Sequence, residues 1–129
     1  MHELSICQAL LEQVAQQTRR CGGERVRRIV VEIGPLSGVE PHLLNEAFLL
    51  ARQGTVAQQA DLEVVAIPVT VHCPACDSDH EVAANDLRCP VCGEWQTRLV
   101  SGDEMTLRTM DVEMPEQEER ERGEVRGVA

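Results

Sequence analysis

Four cysteines form two pairs with the same spacing, Cys73-Pro-Ala-Cys76 and Cys89-Pro-Val-Cys92. Two residues between paired cysteines allow a tight turn to present both sulfurs to one ion. Four thiolates at tetrahedral corners satisfy Zn²⁺ completely and leave no open coordination position. We therefore predict a structural zinc site at these four cysteines, and we assign it no catalysis.

Two other uses of such cysteine pairs, an iron centre and a redox pair, are less favoured than a zinc site. A rubredoxin-like iron centre uses similar turns, and the metal content of the protein would distinguish it from a zinc site. A thioredoxin-like redox pair needs one such motif at a helix start, whereas this chain has two matched motifs. The neighbouring histidines His72 and His80 are interpreted as solvated loop residues and not as ligands.

The amino terminus offers a second set of metal donors. His2 is too bulky for efficient removal of Met1, so the free amine is expected to stay on Met1. This amine, the His2 amide nitrogen and the His2 imidazole can close fused chelate rings, and such an in-plane nitrogen field favours Ni(II) or Cu(II). Glu3 can add a fourth donor through its amide or carboxylate, or it can orient the site. Taken alone, the pattern leaves open a mobile chain end with no ligand role.

Composition excludes several classes of function. All 12 cationic residues are arginine, and without lysine the chain cannot form a Walker A phosphate loop or a Schiff base. A net charge of −10 and a 2% aromatic content argue against nucleic-acid binding. The chain has no nucleophile elbow, so we predict that it is not an enzyme. It also lacks a long apolar run and a cationic leader, which predicts a cytoplasmic protein that does not bind membranes.

The elements that must position these donors follow from the apolar periodicity. The predicted elements are a helix over 3–20, a strand over 25–33, a helix from Glu40-Pro41 to Gly54, and strands from Leu62 to Val71 and from Glu104 to Val112. Strand, helix and strand in this order imply parallel pairing through a right-handed crossover. Side-chain parity shifts within the last strand, which predicts a bulge there.

Cys7 lies on the apolar stripe of the first helix and is predicted to be a buried, inert thiol. Cys21 is expected to be exposed, without an assigned role.

Short segments spread along the chain form a wider pattern. They are Met1-His2-Glu3-Leu4-Ser5-Ile6, Ile33-Gly34-Pro35-Leu36-Ser37-Gly38-Val39-Glu40-Pro41, Leu44 to Phe48 with Gly54-Thr55, the two cysteine motifs, and Gly102-Asp103-Glu104-Met105. In this order they resemble the HypA/HybF family of nickel metallochaperones, over residues 1 to about 113. Leu87 stands where relatives often place an aromatic residue, and Asp111 interrupts an apolar strand end. Both departures bear on packing and not on ligands.

The resemblance implies a protein that binds Ni(II) at its amino terminus and passes it to the large subunit of an apo-[NiFe]-hydrogenase. It also implies a partner GTPase, HypB, and in some relatives a role with urease maturation proteins. By this resemblance His2 is the nickel ligand, Met1 and Glu3 contribute nitrogen donors or orientation, and the four paired cysteines hold zinc. A zinc-ribbon adaptor that binds proteins and has no nickel cargo is the alternative function.

The predicted fold class is α+β, with a small three-stranded mixed sheet packed by two helices and an inserted zinc-ribbon-like module. Residues 1–70 and 100–114 are expected to form the nickel-binding α/β domain, and residues 71–99 the zinc-binding domain. Residues 115–129 are expected to be an acidic, disordered tail, because their composition cannot bury enough surface to offset the entropy of ordering.

Overall fold

A computed structural model of the protein describes residues 2–115, so Met1 and nearly all of the predicted acidic tail lie outside the described residues. The elements in chain order are α1 (His2–Cys21), β1 (Arg25–Ile33), α2 (Pro41–Ala51), β2 (Asp61–Ala66), β3 (Val69–Cys73), β4 (Ser78–Val82), β5 (Arg98–Ser101) and β6 (Met105–Glu113). They form two three-stranded sheets, with strand orders β2-β1-β6 and β4-β3-β5. The predicted α+β class is confirmed. Within residues 2–115, no helix is long and apolar enough to cross a membrane.

The first sheet is mixed, as the periodicity predicts. Its central strand β1 pairs in parallel with β2 and antiparallel with β6. The apolar sides of α1, α2 and this sheet meet in one core. The largest fully buried side chains of that core are those of Cys7, Val14, Val26, Ile29, Val31, Leu44 and Phe48. Burial of these side chains is the main favourable contribution to folding of this half of the molecule.

The bulge predicted in the last strand is present. Val30 pairs with Thr109 and Val31 pairs with Leu107, so Arg108 is an extra residue on β6. One inserted residue exchanges the faces to which the following side chains point. Apolar side chains from both sides of the bulge therefore pack against the core, namely Met105, Leu107, Met110 and Val112.

The prediction of one strand from Leu62 to Val71 is wrong. This apolar run is divided between β2, which ends at Ala66 in the first sheet, and β3, which begins at Val69 in the second sheet. The Ile67 N–H donates the last bond to the first sheet, at 3.1 Å from the Ile33 carbonyl oxygen. Pro68 has no N–H with which to extend the ladder. The chain therefore leaves the first sheet at Pro68.

Candidate metal centre

The four paired cysteines lie at two turns of the second sheet. Cys73 ends β3, and its turn leads into β4; Cys89 lies in the connection between β4 and β5. The two turns are closed by equivalent backbone bonds, from the Asp77 N–H to the Cys73 carbonyl at 2.7 Å and from the Gly93 N–H to the Cys89 carbonyl at 2.9 Å. The same local geometry thus presents each pair of sulfurs.

The four sulfurs converge on one point, with all of them within 4.8 Å of one another. The Sγ atoms of Cys73 and Cys92 are 3.6 Å apart, and those of Cys76 and Cys89 are 3.9 Å apart. A tetrahedral ion with zinc–sulfur bonds of about 2.3 Å requires sulfurs about 3.8 Å apart. These separations are much longer than a disulfide bond. The cluster therefore fits a structural tetrathiolate zinc site.

The electrostatics of the cluster favour a cation at its centre. The neighbouring Cys92 thiol, together with burial, raises the pKa of Cys76 to about 12. Burial also raises the pKa of Cys73. At the other turn, the N–H groups of Cys92 and Val91 lower the pKa of Cys89 to about 6. Four sulfurs this close can all ionise only when a positive ion compensates their charge.

The two histidines near the cluster bond to the β3–β4 hairpin. His72 Nδ1 is 2.7 Å from an Asp79 carboxylate oxygen, and His80 Nε2 is 2.9 Å from the Ser78 hydroxyl. Both histidines lie on paired strands and are partly buried, so the predicted loop placement is wrong. The contacts of these histidines with Asp79 and Ser78 were not predicted from the sequence. The alternation along the hairpin is the signal that could have revealed them.

The amino-terminal donors lie at the start of α1. His2 is the first residue of this helix, and 62% of its side chain is exposed. The Glu3 carboxylate lies 3.6 Å from His2 Nδ1 and accepts a hydrogen bond from the Glu40 N–H at 3.4 Å. Burial alone would raise the pKa of Glu3, but this N–H, the N–H of Glu3 itself and His2 together lower it. Met1 lies outside the described residues.

The backbone amides of His2 and Glu3 are not used by the helix itself, and the Glu3 N–H faces its own carboxylate. The first four N–H groups of an α-helix have no acceptor within the helix. The His2 and Glu3 amides therefore make no helical hydrogen bond that a metal would have to break. The exposed His2 imidazole and the His2 and Glu3 amides lie close together, next to the Glu3 carboxylate. They bring several nitrogen atoms to one place on the surface.

The two lone cysteines have the environments predicted for them. Cys7 is fully buried, and its thiol lies 3.5 Å from the Leu44 carbonyl oxygen. Burial, with the nearby negative charge of Glu3, raises the pKa of Cys7 to about 11. This thiol is therefore protonated and unreactive at neutral pH. Cys21 is exposed at the end of α1.

The chain is similar in sequence to a known protein family and to individual members of it. A family model described as hydrogenase/urease nickel incorporation, metallochaperone, HypA matches residues 1–112. The hydrogenase maturation factor HypA of Nitrosospira multiformis is 44% identical over 112 residues, covering 87% of this chain and 97% of that protein. The corresponding factor of Aquifex aeolicus is 39% identical over 114 residues, covering 88% and 99%.

A solved structure supports the fold. The solution structure of the Ni metallochaperone HypA from Helicobacter pylori matches this chain with a TM-score of 0.69. The match covers 88% of this chain and 98% of that one, at 24% sequence identity. The arrangement of helices and sheets is therefore shared over almost the whole length of both chains.

Proposed function

The chain belongs to the HypA family of nickel-incorporation metallochaperones, and we propose that it binds Ni(II) at its amino terminus and delivers it to the large subunit of an apo-[NiFe]-hydrogenase. The main supporting observation is the position of His2. It is the first residue of α1, its side chain is exposed, and it lies beside the Glu3 carboxylate, which the Glu40 N–H holds in place. The chemistry is metal transfer, so we propose no enzymatic activity for the chain.

We assign the nickel donors to the Met1 amine, the His2 amide and imidazole, and the Glu3 amide. Deprotonated amides with imidazole give a strong in-plane field, which suits square-planar Ni(II). Both amides lie in the first turn of α1, where the N–H groups have no acceptor within the helix. The Glu3 carboxylate is assigned an orienting role, because it contacts both the His2 ring and the Glu40 N–H. Outer partners of this kind set the direction and basicity of a ligating imidazole.

The cysteine cluster has a different role in this proposal. We propose a zinc-binding domain over residues 71–99, built on the second sheet whose strands begin at Val69 and end at Ser101, and a nickel-binding domain over residues 1–70 and 100–114. A closed tetrathiolate site exchanges its ion slowly, whereas an exposed terminus with few ligands can hand its ion over. We therefore assign Cys73, Cys76, Cys89 and Cys92 to structural zinc. The zinc-binding domain shapes a surface for partner proteins.

We assign the supply of nucleotide energy to a partner protein. The chain contains no lysine and therefore no Walker A loop. A HypB-like GTPase is the partner that the family suggests, and urease maturation proteins are a second possible destination for the nickel.

A matched pair of variants tests the proposed nickel site. His2→Ala removes the imidazole donor, and His42→Ala removes an exposed histidine on α2 that contacts Glu46 instead. In equilibrium dialysis of untagged, zinc-loaded protein, we expect His2→Ala to lose bound Ni(II) and His42→Ala to retain it. One extra residue before Met1 should have the same effect as His2→Ala. Equal nickel retention in all these proteins would show that Ni(II) binds away from the amino terminus, and a wild-type protein that retains no Ni(II) would favour the zinc-ribbon adaptor instead.

A further inference from the structure

Two of the family-like segments touch each other at the boundary between the two sheets. We call them the Gly34 loop (residues 34–38) and the Gly102 turn (residues 102–104). The Gly34 N–H donates to the Glu104 carbonyl oxygen at 2.9 Å, and the Leu36 N–H donates to the Gly102 carbonyl oxygen at 2.8 Å. The loop therefore binds directly to the chain that returns from the second sheet.

The contact between these segments is backbone against backbone. A Cβ atom at Gly34 would lie 2.1 Å from the Gly102 carbonyl oxygen. A Cβ atom at Gly102, whose φ is 120°, would lie 2.8 Å from the Val69 Cα. Real Cβ contacts are not this short, so a side chain at either position would force the backbone apart. Three chain segments thus pack closely here, with the Val69 side chain against the Gly102 backbone.

The Glu104 side chain closes the Gly102 turn. Its carboxylate accepts a hydrogen bond from the Gly102 N–H at 2.7 Å. The N–H groups of Gly102, Glu104 and Asp103 together lower the pKa of Glu104. The carboxylate is therefore ionised at neutral pH, and charge-assisted bonds of this kind are stronger than neutral ones.

Both connections between the sheets attach to the same neighbourhood. The outgoing connection bonds through the Ile67 N–H to the Ile33 carbonyl oxygen at 3.1 Å, directly before the Gly34 loop. The returning connection bonds through Gly102 and Glu104. A hinge needs a few residues that can change φ and ψ freely. Hydrogen bonds and close packing restrict these changes on both connections.

We propose that the Gly34 loop and the Gly102 turn form a locked joint that holds the second sheet in a fixed orientation to the first, with Glu104 as its positioning residue. The joint uses none of the residues proposed to bind nickel, so it goes beyond the proposed function. A partner protein would then meet the amino terminus and the cysteine cluster as parts of one rigid surface.

Residual dipolar couplings of the zinc-loaded full chain in a weakly aligning medium test the joint. For the wild type, we expect the amide couplings of both sheets to fit one alignment tensor. Glu104→Ala removes the carboxylate that accepts the Gly102 N–H. The couplings of this variant should therefore require a separate tensor for each sheet. Glu104→Gln keeps an acceptor oxygen and should restore one. Asp103→Ala, which alters the exposed neighbouring carboxylate, is the matched control and should also give one.

Either of two results would overturn the proposal. Wild-type couplings that need two tensors would show that the sheets are free to reorient. A single tensor for folded Glu104→Ala would show that the carboxylate does not hold the joint. Should Glu104→Ala not fold, Gly34→Ala is the second variant, and the wild-type measurement decides by itself whether the joint is rigid. Nickel is absent throughout, so failure here leaves the proposed nickel site untouched.

Discussion

The carboxylate of Glu3 lies 3.4 Å from the backbone nitrogen of Glu40, which connects the second residue of α1 to the cap of α2. Glu40 in turn uses its own carboxylate to accept the Leu43 N–H at 2.9 Å. The start of one helix is thereby fixed by the start of the other. This contact holds the first turn of α1, which carries the His2 side chain, against the cap of α2.

Loss of the Glu3 carboxylate should weaken nickel binding. Glu3→Ala removes the contacts to the His2 ring and to the Glu40 N–H, and we expect an affinity loss of about 10-fold, as for other outer partners of metal ligands. Glu3→Gln keeps an oxygen that can accept from Glu40 and should lose less. Competition with a weak chelator measures the affinity. Glu12→Ala, an exposed acid on the same helix, is the control, and an equal loss in this variant would contradict the specific role of Glu3.

Nickel affinity should fall as the pH falls. Ni(II) must displace protons from the amine, the amides and the imidazole, and a free imidazole takes up its proton near pH ~6.5. Between about pH 7.5 and about pH 5.5 we expect a loss of about tenfold or more per pH unit, because more than one proton is displaced. Titration calorimetry in buffers of different ionisation enthalpy gives the number of protons released. A flat pH profile would exclude the amide chelate.

The fold was largely predictable because the apolar residues of α1 recur at the helical period and are buried. Cys7 is predicted to lie on the apolar stripe of this helix, and it is buried together with Leu11 and Val14. Leu10 is also buried and belongs to the same core. The run from Leu62 to Val71 was misassigned because apolar composition does not mark where a chain passes between sheets. Pro68 was the available signal.

A candidate site can be predicted from the sequence when residues close together in the chain set its geometry. It cannot be predicted in this way when the contacting residues are far apart in the chain. The spacing of the cysteines predicts a cluster because two residues per turn fix both sulfurs. The support of Glu3 by Glu40 spans 37 positions along the chain, and no local pattern specifies it. The close approach of Gly34 to Gly102 is of the same kind: each glycine is visible in the sequence, but their contact requires the three-dimensional fold.

Buried Cys7 should make the protein less stable at alkaline pH. Its folded-state pKa is raised to about 11 from an ordinary value of 9.0. The folded state therefore keeps a proton that the unfolded state loses, and the free energy of unfolding should decline as the pH rises from about 9 towards about 11. Urea unfolding across this range measures the decline. Cys7→Ala should show a shallower decline, and Cys21→Ala, which alters the exposed thiol, should show the wild-type decline; identical slopes in all three proteins would contradict the assignment.

Removal of one cluster thiolate should disorder the second sheet and spare the first. In Cys73→Ser the ion loses a buried ligand at the end of β3, and zinc binding energy is also folding energy for a module of this size. We expect loss of zinc to a chelator and loss of amide dispersion in β3, β4 and β5, while β1, β2 and β6 keep theirs, because the core of Phe48 and Ile29 does not include the cluster. Two-dimensional amide spectra and metal analysis measure both effects. Cys21→Ser is the matched control outside the cluster. Retained zinc with an unchanged spectrum in Cys73→Ser would exclude Cys73 as a ligand.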